Sequence, residues 1–164
     1  MLARRLLPLS SMNTQYHSTS RGFSLVELLI VCAVIGLLAA IAIPNLLNAI
    51  QRGRQARTVG DLRGLATAVA MYQQDYAKFP LADSWVPLDD IEAQIARYMG
   101  SVVKLDGWMR SFMYLSDGDN YTLVSYGMNG VADQPWTQNP IHFFTEDIII
   151  MGGSFMQWPE GVQQ

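Results

Sequence analysis

Few side chains in this sequence have the type and spacing for chemistry, and most of them read as structural. Asp89-Asp90 and Glu146-Asp147 are adjacent acidic pairs, which fit capping or solvated roles better than a shared proton. His142 has no nucleophile at a recognisable spacing. Asp117-Gly118-Asp119-Asn120 offers oxygen ligands but lacks the downstream bidentate glutamate of a helix–loop–helix calcium site, and no glycine-rich phosphate loop is present. Nothing in this set points to an enzyme. Glu27 is different. It lies in RGFSLVELLIVCAVIGLLAAIAIP (Arg21–Pro44), whose 21 residues from Phe23 to Ile43 are otherwise apolar and long enough to cross a bilayer as one helix. An acidic residue at bilayer depth costs roughly 2.5–3.5 kcal/mol on insertion scales.

Three readings of this run are open. A secretory signal peptide has a basic lead and small residues such as Ala40-Ile41-Ala42 for cleavage, but its apolar core is shorter and does not begin with an acid. A plain single-span anchor has the right length and gives Glu27 no purpose. Arginines at both ends leave the orientation of such an anchor undecided. The third reading gives the charge work: if the chain is cut between Gly22 and Phe23, the new amine of Phe23 needs a counter-charge. Glu27 of a neighbouring copy supplies it, and paired buried charges are tolerable where either alone is expensive.

The elements around this run follow from composition and periodicity. Net charge is −3, but residues 1–22 hold Arg4, Arg5 and Arg21 without an acid, while Gly64 onward holds four basic and twelve acidic residues. An acidic domain repels nucleic-acid phosphates, so no nucleic-acid partner is expected. The single cysteine, Cys32, lies in the apolar run, which excludes a disulfide within the folded domain and suits a small packing residue. Residues 1–22 show no helical periodicity; Met12 is an alternative start, and His17 has no evident chemistry there. Gly36 and Pro44 are weak points of the apolar helix. Beyond Pro44 the pattern turns amphipathic, with Leu62, Leu65, Ala66, Val69, Tyr72, Gln73 and Tyr76 on one stripe of a helix spanning Asn45–Asp75.

Further on, Pro80 and Pro87 bracket an expected loop, LADSW. A short helix is predicted from Asp89 or Asp90, with Ile91, Ile95, Tyr98 and Met99 on one face. Ser111–Ser116 and Asn120–Tyr126 read as strands joined by the Asp117-Gly118-Asp119 turn. Met128-Asn129-Gly130 marks another turn, Ala132–Asn139 a polar loop, and Ile148–Met151 a strand closed by Gly152-Gly153. These elements make an α+β fold: a long N-terminal helix packed on a small antiparallel sheet of about three strands.

On these residues the chain resembles the type IV pilin and type II secretion pseudopilin family. RGFSLVELLIVCAVIGLLAAIAIPNL is similar to that family's class III signal, which a prepilin peptidase cuts after the glycine before methylating the new amine; the matching positions are Gly22, Phe23 and Glu27. The Gly36–Pro44 interval resembles the part of the family's helix that loosens on assembly. YQQDYAKFP (Tyr72–Pro80) resembles the end of the family's long helix, and LDGWMRSFMYLSDGDNYTLVSYGMNG (Leu105–Gly130) resembles the major pseudopilin.

The resemblance implies a pilin-like fold, with the first half of the helix in the membrane and a three- to four-stranded head on its second half. It divides the chain into a leader (1–22), a transmembrane and assembly helix (23–44) and an exported head (45–164). It implies self-association into a filament, with minor pseudopilins, the prepilin peptidase and an inner-membrane assembly platform as partners. The precursor would sit once through the inner membrane with its head in the periplasm. No cofactor is required, but major pseudopilins bind calcium after the last strand pair. Here Asn129 stands where the family has an acid and Asp147 matches the family's late Asp-Ile, with Asp133 to complete the site; the alternative is a hydrogen-bonded turn without metal. Arg52, Arg54 and Arg57, beside acidic heads, are expected either to bridge subunits or to form a solvated face. The tail FMQWPEGVQQ has no counterpart in the family pattern, and its Trp158 would cap the core or meet a neighbour. The alternatives are a type IV pilin, which usually carries a disulfide-bounded loop, and a membrane-anchored binding domain with no assembly role.

Overall fold

The computed structural model describes residues 22–162; the expected leader as far as Arg21, with Met12 and His17, lies outside the described residues. The chain divides into two units, the first ending at Ile41 and the second running from Ala42 to the C-terminus. One helix, α1 (Leu25–Tyr76), contributes to both and contains Pro44. The second unit then adds β1 (Ala82–Pro87), a helical stretch of 3-10 turns around α2 (Glu92–Ile95), β2 (Met113–Ser116), β3 (Tyr121–Ser125), β4 (Asn139–Ile141), β5 (Ile148–Met151) and β6 (Ser154–Pro159). The fold is α+β, as expected.

The core forms where the stripe of α1 meets one face of the sheet. Leu62, Leu65 and Val69 are spaced three and four apart and wholly buried, and Thr58 and Val59 extend the buried stripe toward the N-terminus. Tyr114, Leu123, Ile148, Ile150 and Phe155 face them from the strands, while Ile91 and Ile95 close the core from the short helical stretch. The expected stripe runs too far: Gln73 and Tyr76 are exposed, with Tyr76 stacked on the half-buried Tyr72 at 4.4 Å. The helix ends at Ala77, whose φ of 59° places an alanine in the left-handed region while its N–H donates to the Gln73 carbonyl at 2.7 Å.

Among the described residues the sheet has six strands in the order β1-β2-β3-β5-β6-β4, antiparallel except for the parallel pair β4–β6. This corrects the expectation of about three. LADSW is not a loop, since Ala82–Pro87 pairs with β2. Its proline closes an edge strand, where a missing N–H is harmless, and Pro140 serves the opposite edge in the same way. Gly152-Gly153 does not end the sheet; both adopt positive φ and turn β5 into β6. The first half of the tail, through Pro159, is therefore a strand, with Trp158 half-buried against the core. The β2–β3 hairpin is as expected. The Asp117 carboxylate accepts the N–H groups of Asn120 (2.6 Å) and Asp119 (2.9 Å), which hold it below the usual carboxylate range.

One turn fixes the strands to the helix. Buried Asp106 accepts the Trp108 N–H (2.8 Å) and the Arg110 N–H (3.0 Å) through Oδ1, and the Ser125 hydroxyl of β3 (2.7 Å) through Oδ2. The Gly107 N–H donates to Thr58 Oγ1 at 2.9 Å, and the Trp108 indole N–H donates to Gln51 Oε1 at 2.7 Å. A Cβ on Gly107 would lie 2.3 Å from the Arg54 carbonyl oxygen, so only glycine lets the turn seat on the helix backbone. Gly107→Ala is expected to destabilise the head by about 2–3 kcal/mol, and Thr58→Val by about 1–2 kcal/mol, in chemical denaturation. A Gly107→Ala head as stable as the unaltered one would contradict this seating. At the other end, Ala77→Gly is expected to stabilise by about 0.5–1 kcal/mol in the same measurement, because glycine relieves the left-handed strain.

Candidate functional site

The N-terminal unit carries the predicted cut and assembly residues. Gly22 and Phe23 are exposed, and nothing crowds Gly22 within the chain. Ser24 is the N-cap of α1. Its hydroxyl oxygen accepts the Val26 N–H at 3.3 Å and its carbonyl accepts the Leu28 N–H at 3.2 Å. Glu27 reaches back to accept the Ser24 N–H at 3.4 Å, the return half of a capping box. The carboxylate also faces the positive end of the helix. Glu27 thus has a role within its own chain, and the Ser-x-x-Glu spacing that signals it is plain in the sequence.

Beyond this cap the unit is bare. From Leu25 to Ile41 every residue is exposed except Ala39, which is partly covered. Cys32 is exposed and free. Among the described residues one helix is long and apolar enough to cross a membrane, and this is its apolar half. Such a surface is stable only in lipid or against other apolar helices.

Arg52, Arg54 and Arg57 are all exposed on α1. Arg57 pairs with Asp61 one turn on, at 3.3 Å, an exposed contact worth about 0.3–0.5 kcal/mol. Arg52 borders a recess with His142 and Glu160, which pair with each other at 2.9 Å. The acidic pairs have structural uses. Asp89 and Glu92 clasp Lys104 at 2.9 and 2.6 Å and push its ammonium pKa up, Glu92 more than Asp89. Glu146 accepts the N–H groups of His142 and Phe143, both at 2.7 Å.

Asn129, Asp133 and Asp147 lie around the loop that follows β3, but not as converging ligands. Asn129 Oδ1 accepts the Val131 N–H at 3.1 Å. Asp147 is wholly buried, and its Oδ2 accepts the Asp133 N–H at 2.8 Å and the Trp136 indole N–H at 2.7 Å. Burial pushes the Asp147 carboxyl above its usual range; the two N–H donors oppose this, and the nearby Asp133 charge adds to it. Asp147 Oδ1 has no hydrogen-bond partner. Calcium takes about six to eight oxygen ligands. Among the described residues no three His, Cys, Asp or Glu side chains converge, and N–H hydrogens fill the side of Oδ2 that a cation would need. Of the two Asp147 oxygens, Oδ2 is taken by these N–H groups and Oδ1 has no partner among the described residues. Trp136, which carries one of those donors, went unassigned in the sequence, where only its place in a polar loop was visible.

Two family models match the chain. One, described as a prokaryotic N-terminal methylation motif, covers residues 17–43, and the other, described as type II secretion system protein G, covers residues 45–142. A type II secretion system core protein G of Vibrio cholerae is 31% identical over 109 residues, 62% of this chain and 75% of the relative. The protein of the same name from Klebsiella michiganensis is 29% identical over 120 residues, 71% of this chain and 82% of the relative. That of Escherichia coli K12 is 27% identical over 113 residues, covering 69% and 77%. No solved structure matches the chain.

Proposed function

The chain belongs to the type II secretion system protein G family, and from that premise we propose that it is the major pseudopilin of such a system, a structural subunit of the filament that drives export across the outer membrane. One observation carries this reading: an apolar helical surface uncovered from Leu25 to Ile41, with a single carboxylate in its first turn. The protein acts by packing, not by catalysis.

Hydrolysis of the Gly22–Phe23 peptide bond by a prepilin peptidase removes the leader (1–22) and leaves an α-amine on Phe23, which is then methylated. The methylation motif that matches residues 17–43 supports this processing. The segment 23–44 rests in the inner membrane as a single span, with the head (45–164) in the periplasm. An assembly platform and minor pseudopilins then receive the subunit as it leaves the bilayer. Among stacked helices the Phe23 amine sits in a low dielectric, where Glu27 of the adjoining subunit neutralises it and sets the axial register. Arg52, Arg54 and Arg57 supply basic charge to the acidic heads of neighbours. The reading requires no cofactor.

Because Glu27 also caps its own helix, Glu27→Gln separates the two roles, keeping the cap and removing the charge. Glu27→Gln is expected to be exported and cut like the unaltered protein, yet to lose filaments. An unpaired buried amine costs about 3–5 kcal/mol, at least a hundredfold in subunit association. Filament yield after shearing, followed by immunoblot and electron microscopy, reads the effect. Filaments of Glu27→Gln at full yield would contradict the pairing.

A further inference from the structure

We propose that the loop 131–138 of this head is closed by a carboxylate–indole anchor, Asp147 with the Trp136 side chain and the Asp133 N–H, in place of a bound calcium ion. The inference goes beyond the secretion role and concerns how the head keeps its shape.

The loop has no ladder of its own: residues 131–138 belong to no strand. Among the described residues, and apart from local contacts to Asn129 and Asn139, its hydrogen bonds to the rest of the head are two, and both end on Asp147 Oδ2. Asp147 directly precedes β5, so the anchor point belongs to the centre of the sheet. Trp136 makes a second contact, independent of the carboxylate. Its ring meets Trp85 of β1 edge-on at 5.5 Å between centroids. The loop therefore spans from the start of β5 to the edge strand β1, across the face opposite α1. On that face Val124 and Ile149 are paired neighbours and wholly buried, although they lie outside the core that packs on the helix. A cation would find Oδ2 filled by two N–H hydrogens, each with partial positive charge, and the Asn129 oxygen engaged with Val131, which leaves it one open side-chain oxygen from Asn129 and Asp147, Asp147 Oδ1. Hydrogen bonds and ring packing do here what a metal would otherwise do.

The test uses the full-length protein in detergent, stripped of metal with EDTA, with the head's unfolding followed by calorimetry. Millimolar calcium is expected to leave the Tm unchanged. Trp136→Phe, which keeps a ring and removes the donor, is expected to lower the Tm by about 3–6 °C with or without calcium. Asp147→Asn keeps an acceptor oxygen for both N–H groups and should melt close to the unaltered protein. A Tm that climbs several degrees with calcium, and loses that climb in Asp147→Asn, would overturn the proposal. So would a Trp136→Phe head that melts like the unaltered one.

Discussion

Everything in the head depends on how closely one turn can approach the helix. Gly107 brings its backbone against the carbonyl of Arg54, near enough for its N–H to reach the Thr58 hydroxyl, and no larger residue fits. Asp106, beside it, spends both carboxylate oxygens on fixing that turn, two donors from the turn itself and one from Ser125 of β3. The buried charge is tolerated because three donors surround it. Helix and central strand are thereby set at a spacing that lets Leu62, Leu65 and Val69 share one buried core with Leu123 and Ile150. The contact ties positions 49 apart in sequence, so the second half of the long helix becomes part of the head.

That helix lives in two solvents. Its second half has one apolar stripe and an otherwise polar surface, the pattern of a helix against a sheet. Its first half is apolar on nearly all sides and, Ala39 apart, exposed from Leu25 to Ile41. Lipid and like helices are the two surroundings such a surface accepts, and a subunit that passes from one to the other uses both. Ser24 and Glu27 sit where the transition has an electrostatic consequence. In a single chain the carboxylate satisfies a backbone donor at the helix start. In the proposed stack it would meet an amine as well, and an anion near a helix N-terminus suits either state.

How much of this was readable depended on whether the signal was local. The stripe Leu62-Leu65-Val69 and the Asp117-Gly118-Asp119 turn were plain, because periodicity and turn chemistry are properties of adjacent residues. The strands β1 and β4 were not. β4 has only three residues, each contains a proline, and each is a strand only because a neighbour offers it an edge. Strand β6 was hidden behind a glycine pair that reads equally as an end or as a turn. The capping use of Glu27 was present in the sequence as Ser-x-x-Glu but overshadowed by the cost of its charge. The seating of Gly107 on Arg54 and the link from Trp136 to Asp147 join distant segments, and residue type alone did not single them out.

The central claim is that the apolar run is an assembly spine with a new N-terminus, not an anchor and not a discarded signal. Mass analysis of the N-terminal peptide of the mature protein, purified from membranes, addresses it directly. The account predicts a chain that begins at Phe23 with a methyl group on its α-amine. A mature chain that keeps its leader, or one cut near Ala42 so that Glu27 is lost, would contradict it.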